Sequence, residues 1–312
     1  MSLVDGSVRA APGPVVVGYD ASEIAEAALV WAAGEARLRG AALQVVYVRD
    51  ADDIGPAVRS GGRELASEGG AWPVVEEAAA RARDVAPGVE TETYVQYASP
   101  VAALVGMSRD AGLIVLGSSP RGALRDELRG SVETQVAAHA HCPVALVPLP
   151  TVPPSDRVAG AADPPVVVGY DGSDAAALAL TYAADAAWFG GRPLRVVVAW
   201  RPGPAEWLES FATGSLPRDA TEAAAEVTLA DALDRVYQHH RSVGRSPASD
   251  QPDGVVAEGR AVDVLYREAV TAERLVIGTR GRGGFAALLL GSVTHTLVRA
   301  APCPVVAVRE TG

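Results

Sequence analysis

The sequence predicts an α/β protein made of two tandem doubly wound domains, each a five-stranded parallel sheet with helices on both faces. Three observations lead to this prediction. Short runs of β-branched residues alternate with helical patterns along the chain, as in sheets that are buried on both faces. The letters VVVGYD at 15–20 recur at 166–171. In each half, a similar spacing of glycines follows a late apolar run.

In the first half, apolar runs predict five strands, and the stretches between them predict four helices. The strands are expected over 14–19, 43–48, 90–96, 113–117 and 144–147. The helices are expected over 22–39, 71–85, 100–110 and 131–140. Residues 49–70 show no clear period, so we expect an irregular segment there.

The second half repeats this order. Its strands are expected over 165–170, 194–200, 254–258, 274–278 and 305–308, and its helices over 174–189, 221–243, 262–271 and 292–299. Residues 201–217 again lack a period. The offset between the halves grows from 151 to 161 residues, so the second half carries ten more before its glycine loop. The domains are predicted at 1–150 and 164–312, joined by a linker at 151–163 that is rich in Pro, Ala and Asp.

Composition narrows the classes of function. At 312 residues the chain has room for two domains of about 150 residues each. No apolar run reaches the roughly 18 residues of a membrane span and the first residues do not resemble a signal peptide, so we expect a cytoplasmic protein. A net charge of −11 argues against a nucleic-acid partner. The chain has no lysine, which excludes a P-loop lysine and a lysine that forms a Schiff base. Its two cysteines, Cys142 and Cys303, are expected to be free thiols and not to form a disulfide.

The glycine spacing near the C-terminus is the most informative motif. Gly278 and Gly281 follow an apolar run, and Gly291-Ser292 comes after nine further residues and opens a helical pattern. Glycine lets the backbone approach a phosphate, Ser292 is expected to cap the helix, and the first free N–H groups point towards an anion. The alternative is a tight, serine-capped turn without a ligand.

An acidic residue follows the first strand of each half. In a doubly wound sheet the ligand lies outside the carboxyl ends of the strands, where the strand order reverses. If the first and fourth strands flank that point, Asp171 meets the loop from Gly278 in one crevice and can accept hydrogen bonds from a ribose or a base. Arg280 and Arg282 would add positive charge. The alternative, that Asp20 and Asp171 only stabilise a turn, is compatible with ligand contact.

Taken together, this glycine spacing, the letters GYDGS at 169–173 and CPVV at 303–306 resemble the universal stress protein family. Its members have five-stranded doubly wound domains, and many bind ATP through the glycine signature. In the second half the resemblance implies a site formed by Gly169, Tyr170, Asp171, Ala199, Ile277, Gly278, Arg280, Gly281, Gly291, Ser292, Val293 and Thr294. In the first half the corresponding residues are Gly18, Asp20, Val48, Gly117, Gly130, Ser131 and Val132.

The first half departs from this pattern at two positions. Pro120 stands where the second glycine is expected, and proline has no N–H to donate and a fixed φ. Glu133 stands opposite Thr294, where a carboxylate would occupy the positive end of the helix and repel a triphosphate. We therefore expect the second half to be the better site.

Three hypotheses of function follow. The first is a non-catalytic, ATP-dependent regulator in stress response. It is expected to be a homodimer with an unknown protein partner, and any Mg²⁺ bound with the ATP would be held mainly by the phosphates. The second is an enzyme or slow ATPase, although the sequence has no lysine, no Ser-Gly-Gly loop directly after the first strand of either half, and no His-x-Gly-His element. The third is a nucleotide-free structural or partner-binding module. In all three, the last strands of the two halves are expected to pair with each other and give a pseudo-twofold unit.

Overall fold

The computed structural model describes residues 13–49, 70–118, 131–149, 163–202, 218–245, 251–281 and 290–310. Five strands lie in the first half: β1 (Val15–Gly18), β2 (Leu43–Arg49), β3 (Thr91–Tyr97), β4 (Leu113–Ser118) and β5 (Val144–Pro148). Five lie in the second: β6 (Val166–Gly169), β7 (Leu194–Trp200), β8 (Asp253–Glu258), β9 (Arg274–Gly278) and β10 (Val305–Val308).

The helices alternate with these strands. In the first half they are α1 (Glu23–Arg39), α2 (Ala71–Val85), α3 (Pro100–Met107) and α4 (Val132–His139). In the second they are α5 (Asp174–Gly190), α6 (Arg218–Ser242), α7 (Ala261–Ala269) and α8 (Ser292–Ala300). The predicted linker 151–163, apart from Asp163, and most of the predicted irregular segments 49–70 and 201–217 lie outside the described residues. No helix in the described ranges is long and apolar enough to cross a membrane.

All ten strands belong to one sheet, with the order β3-β2-β1-β4-β5-β10-β9-β6-β7-β8. Within each half the strands are parallel, and the strand order reverses between β1 and β4 and again between β6 and β9. These are the switch points at which a doubly wound sheet binds its ligands. The predicted fold class is confirmed.

Alternate residues of each strand pack on opposite faces of the sheet. Val15 and Val17 pack with residues of α1 and α2, whereas Val16 packs with Leu104 of α3 and Val136 of α4. Small alanines on α1 and α5 let these helices lie close to the β-branched strands. The aliphatic composition therefore forms two apolar layers, one on each face.

The two halves meet along a single antiparallel strand pair. In β5 and β10, Ala145 lies opposite Val306, and Val144 and Leu146 lie opposite Ala307 and Val305. The predicted pairing of the last strands is thus confirmed, and a pseudo-twofold axis passes near Ala145 and Val306.

The first helix of each half has the same caps. Ser22 accepts a hydrogen bond from the N–H of Ala25 at 3.1 Å, and Ser173 accepts one from the N–H of Ala176 at 3.2 Å. Gly40 (φ 63°) and Gly191 (φ 57°) end the helices in the left-handed conformation that favours glycine. These shared caps align α1 and α5 residue by residue at the offset of 151.

Candidate functional site

In the second half, the turn that leaves β6 holds an acidic side chain above the end of the sheet. The Oδ1 atom of Asp171 accepts hydrogen bonds from the N–H of Ser173 at 3.0 Å and from its hydroxyl at 2.6 Å. Gly172 between them has φ 78°, which is why a glycine suits this position. The alternative turn role of Asp171 is therefore real, and it fixes the direction of the carboxylate.

The glycine loop lies directly against this carboxylate. A Cβ atom added to Gly281 would lie 2.6 Å from Oδ2 of Asp171, closer than two such atoms can approach. The hydroxyl of Ser173 also lies 3.4 Å from the carbonyl oxygen of Arg280. The structure thus brings Asp171 and the start of the loop into one crevice, and a side chain at position 281 would have to displace the Asp171 carboxylate. Ser173 belongs to this crevice too, although the sequence indicated it only as part of a motif.

The base of the loop is closed by backbone contacts. A Cβ atom on Gly278 would lie 2.8 Å from the carbonyl carbon of Ala175, so β9 and the start of α5 touch through their backbones. Beyond the loop, the N–H of Gly291 donates to the carbonyl oxygen of Thr279 at 2.8 Å. Residues 282–289, including Arg282, lie outside the described residues.

Helix α8 begins beside this crevice. The prediction that Ser292 caps the helix is wrong, because Gly291 is the N-cap (φ −65°, ψ 154°) and Ser292 is the first helical residue. The bond from Gly291 to Thr279 holds Gly291 in the extended N-cap conformation. The first N–H groups of a helix have no acceptor within it, and in α8 these are the N–H groups of Ser292, Val293 and Thr294.

Three of the predicted site residues use their side chains within the protein. The hydroxyl of Thr294, which is 2% exposed, donates to the carbonyl oxygen of Gly278 at 2.8 Å and ties α8 to β9. The Tyr170 hydroxyl donates to Oδ2 of Asp231 on α6 at 2.8 Å, and burial together with that bond raises the pKa of Tyr170 to about 12. Ile277 is buried in the core.

The remaining predicted residues of the second half lie around the crevice. Gly169 ends β6, where a Cβ atom would lie 2.9 Å from Cδ1 of Leu265. Ala199, near the end of the neighbouring strand β7, is half-buried. The Arg280 side chain is exposed.

The first half has a related but altered arrangement. Oδ1 of Asp20 accepts the N–H of Ser22 at 3.0 Å, as in the second half, but Ala21 takes the place of Gly172 and keeps a left-handed φ of 64°. At Gly18 a Cβ atom would lie 2.6 Å from Cδ2 of Leu116, and Val48 is half-buried in β2.

The phosphate end of the first half differs more. Gly117 touches the start of α1, where a Cβ atom would lie 2.8 Å from the carbonyl oxygen of Ile24. Ser131 is the N-cap of α4, but its hydroxyl lies 2.9 Å from that of Thr134, and Val132 is exposed. Glu133 lies in the first turn of α4 and is half-buried. Pro120 and Gly130 lie outside the described residues.

The side chains of two histidines, His139 and His239, have polar partners within the fold. His239 Nε2 lies 2.9 Å from Oδ1 of Asp185, and His139 Nδ1 lies 2.8 Å from the carbonyl oxygen of Gln135. Over the described part of the chain, no three His, Cys, Asp or Glu side chains are arranged to hold a metal ion. Cys142 and Cys303 are both thiols, and burial raises the pKa of Cys142 to about 12.

Tandem doubly wound domains that present a glycine loop at the switch point of each half define a class of α/β proteins. The model of the universal stress protein family matches residues 13–148 and 164–309. The chain belongs to this family.

Relatives of similar length are found in mycobacteria. Two universal stress proteins of Mycobacterium tuberculosis, Rv2005c and Rv2623, are 34% and 33% identical to this chain. Each match covers 95% of this chain, and 97% and 96% of the respective relative. The crystal structure of a universal stress protein from Archaeoglobus fulgidus has a TM-score of 0.64 at 21% identity and covers 96% of this chain and 97% of that one, which shows the shared fold.

Proposed function

We propose that the second half binds an adenine nucleotide, ATP above all, and that the protein is a non-catalytic, nucleotide-dependent regulator in stress response. The observation that carries the proposal is the contact between Gly281 and Asp171. A loop that omits a side chain to lie against a carboxylate, and then leads into a helix N-terminus, leaves a crevice with an acidic end and an anion-binding end. A nucleoside phosphate matches that polarity.

Each end of the crevice has a role in the proposal. A carboxylate oxygen accepts more than one hydrogen bond, so Asp171 can receive ribose hydroxyls or a base N–H in addition to its turn contacts. The N–H groups of Ser292 and Val293 would hold phosphates, and the exposed Arg280 would add positive charge. A Mg²⁺ ion would be held mainly by the phosphates, since the described residues offer no three-residue metal cluster.

The sequence of the loop supports a regulator over a dedicated enzyme. Between Gly278 and Ser292 it contains no carboxylate and no histidine that could orient a water molecule. Slow hydrolysis of bound ATP stays compatible with the proposal. For the first half, Glu133 in the opening turn of α4 favours a structural or partner-binding role.

The proposal is tested by calorimetry with ATP on the parent protein and on Gly281→Ala. A methyl group here must displace the Asp171 carboxylate, so we expect affinity to fall roughly tenfold or more, the equivalent of about 1.4 kcal/mol. Gly34→Ala is the matched control, because Gly34 lies within α1 and a Cβ atom there has no neighbour within 4 Å. Equal affinity for the parent, Gly281→Ala and Gly34→Ala would refute the site.

A second substitution tests the other end of the crevice. A Cβ atom on Gly291 would lie 3.3 Å from the carbonyl oxygen of Thr279, so Gly291→Val should shift the start of α8 and weaken ATP binding while the far-ultraviolet circular dichroism is kept. Unchanged ATP affinity in a folded Gly291→Val protein would contradict a phosphate site at α8.

A further inference from the structure

A cluster of charged side chains is buried where the two halves meet. Nη2 of Arg274, at the start of β9, lies 2.8 Å from Oε2 of Glu35 on α1, and both side chains are 4% exposed. Nη2 of Arg39 lies 2.7 Å from the other carboxylate oxygen of Glu35 and donates to the hydroxyl of Tyr182 on α5 at 2.5 Å. Two of these contacts, Arg274–Glu35 and Arg39–Tyr182, join one half to the other.

Aromatic rings complete the cluster. The guanidinium carbon of Arg274 lies 4.9 Å from the ring centre of Trp31, and that of Arg39 lies 5.0 Å from the ring centre of Tyr182. Burial alone would raise the pKa of Glu35, but Arg274 and Arg39 hold that pKa below its ordinary value. The carboxylate therefore remains charged inside the protein, and its charge depends on a residue from the other half.

The repeat shows that this cluster exists on only one side of the pseudo-twofold axis. Trp31 and Tyr182 occupy equivalent positions, each nine residues after the capping serine of its helix. The charged residues have no charged equivalents. At the offset of 151, Ala186 corresponds to Glu35 and Gly190 to Arg39, and at the offset of 161, Leu113 corresponds to Arg274.

We propose that this one-sided cluster determines which halves pair with each other. It makes the surface of the first half around β5 complementary to the second half, and not to the first half of another molecule. In a pair of two first halves, Leu113 would face Glu35. In a pair of two second halves, Ala186 would face Arg274. Either arrangement loses the buried Arg274–Glu35 ion pair between the halves and leaves the remaining charged group with fewer partners. A buried charge that loses a partner is costly, because it has also lost its contact with water.

The alternative is that the cluster only adds stability. A buried ion pair is a weak source of net stability, because removal of both charges from water offsets most of their attraction. Nη1 of Arg274 is moreover buried without a hydrogen-bond partner, which adds a cost. The cluster is therefore better suited to discriminate between partners than to stabilise one.

The strand register offers a direct probe of pairing in the full-length chain. Ala145 faces Val306 in the native seam, so in a pair of two first halves it would face Ala145 of a second molecule. Directly opposed residues of antiparallel strands lie within disulfide range. A full-length protein carrying Ala145→Cys, with Cys142 and Cys303 replaced by alanine, will therefore form a disulfide dimer only when first halves pair.

The decisive variant is Glu35→Ala with Arg274→Leu, which places at these two positions the residues found across the axis. Arg39 is kept, and so is Glu273, whose Oε2 lies 2.5 Å from Nε of Arg274 in the parent protein. After unfolding in urea and refolding at rising protein concentration under mild oxidation, we expect disulfide dimer to increase roughly tenfold over the Ala145→Cys parent. Leu113→Ala is the control, because it destabilises the equivalent buried position without touching a charge.

A second variant covers the case in which the first does not refold. Leu113→Arg with Ala186→Glu keeps the native cluster and supplies the same pair across the axis, so like halves become complementary and the dimer should again increase. The proposal is overturned if a folded variant of either kind forms no more dimer than the parent. It is also overturned if Leu113→Ala forms as much dimer as Glu35→Ala with Arg274→Leu.

Discussion

Ala21 adopts a backbone conformation that its counterpart in the second half reaches with a glycine. Ala21 has φ 64° and Gly172 has φ 78° at the same place in the turn before the first helix. A left-handed φ costs an L-residue about 1 kcal/mol. We expect Ala21→Gly to raise the free energy of unfolding by up to about 1 kcal/mol, and Gly172→Ala to lower it by a similar amount. Urea unfolding would measure both, and shifts of the same sign would contradict the interpretation.

Two tyrosines give the protein a defined sensitivity to high pH. Burial raises the pKa of Tyr19 and of Tyr170 to about 12, reinforced by their hydrogen bonds to Glu26 and Asp231. In the unfolded chain these pKa values return to about 10, so the folded state holds its protons longer. The stability from this source is complete below pH 10 and is lost as the pH rises from 10 to 12. Tyr170→Phe should reduce the loss of stability between pH 10 and 12, and an unchanged pH dependence in a protein with Tyr19→Phe and Tyr170→Phe would disprove it.

The sequence predicted the backbone of the candidate crevice better than its side chains. Asp171, Gly278 and Gly281 could be assigned because glycine and acidic residues leave a signal at fixed spacing. The inward use of Tyr170 and Thr294 could not, because it depends on where α6 and β9 place Asp231 and the Gly278 carbonyl. Such partners arise from tertiary packing and leave no mark in local sequence.

Among the elements, the contact between α8 and β9 depends on a single hydroxyl. Thr294→Val keeps the shape of the side chain but removes the bond to the Gly278 carbonyl, leaving that carbonyl with one acceptor site unfilled in a buried place. We expect the free energy of unfolding to fall by about 1–2 kcal/mol and ATP affinity to fall as the start of α8 loosens. Thr294→Ser keeps the hydroxyl and should bind ATP like the parent. Equal ATP affinity of the Val and Ser variants would argue against this coupling.

Most helices and strands could be predicted to within a few residues, because buried parallel strands are unbroken apolar runs. Helix α2 was predicted with its observed bounds, whereas α3 was predicted to reach residue 110 and ends at Met107. There the N–H groups of Asp110 and Ala111 both bond the Met107 carbonyl, which turns the chain before Gly112. The longer second half is explained in part by α6, which has 25 residues where α2 has 15.

At the scale of the molecule, the two halves should differ in nucleotide binding. Glu133 lies in the first turn of α4, where the second half has Thr294. A like charge 4 Å from a phosphate costs about 1 kcal/mol in water and more when partly buried. Calorimetry should find one tight ATP site per chain, and Pro120→Gly with Glu133→Thr should strengthen the weaker one. Two equal, tight sites in the parent protein would refute the asymmetry.

The buried cluster between the halves was not predicted from the sequence. Glu35 and Arg39 are spaced as an ordinary exposed i,i+4 pair on a helix, and Arg274 stands at the start of a strand, where charge is common. These three side chains are largely buried only because α1 of the first half packs against the second half. The apolar seam strands could be predicted, because an uncovered β-branched run needs a partner, but the charged contacts beneath them have no periodicity.

The fusion of two sheets also changes the tendency of the protein to aggregate. Two separate five-stranded sheets would have four edges, and the pairing of β5 with β10 leaves β3 and β8 as the edges of the described sheet. β3 carries Glu92, and β8 has Asp253 at its start and Glu258 at its end. Charged side chains on an edge oppose the addition of a further strand. The two most apolar edge strands, β5 and β10, are therefore buried against each other, and the exposed edges carry acidic residues. This arrangement opposes edge-to-edge aggregation of the sheets at high protein concentration.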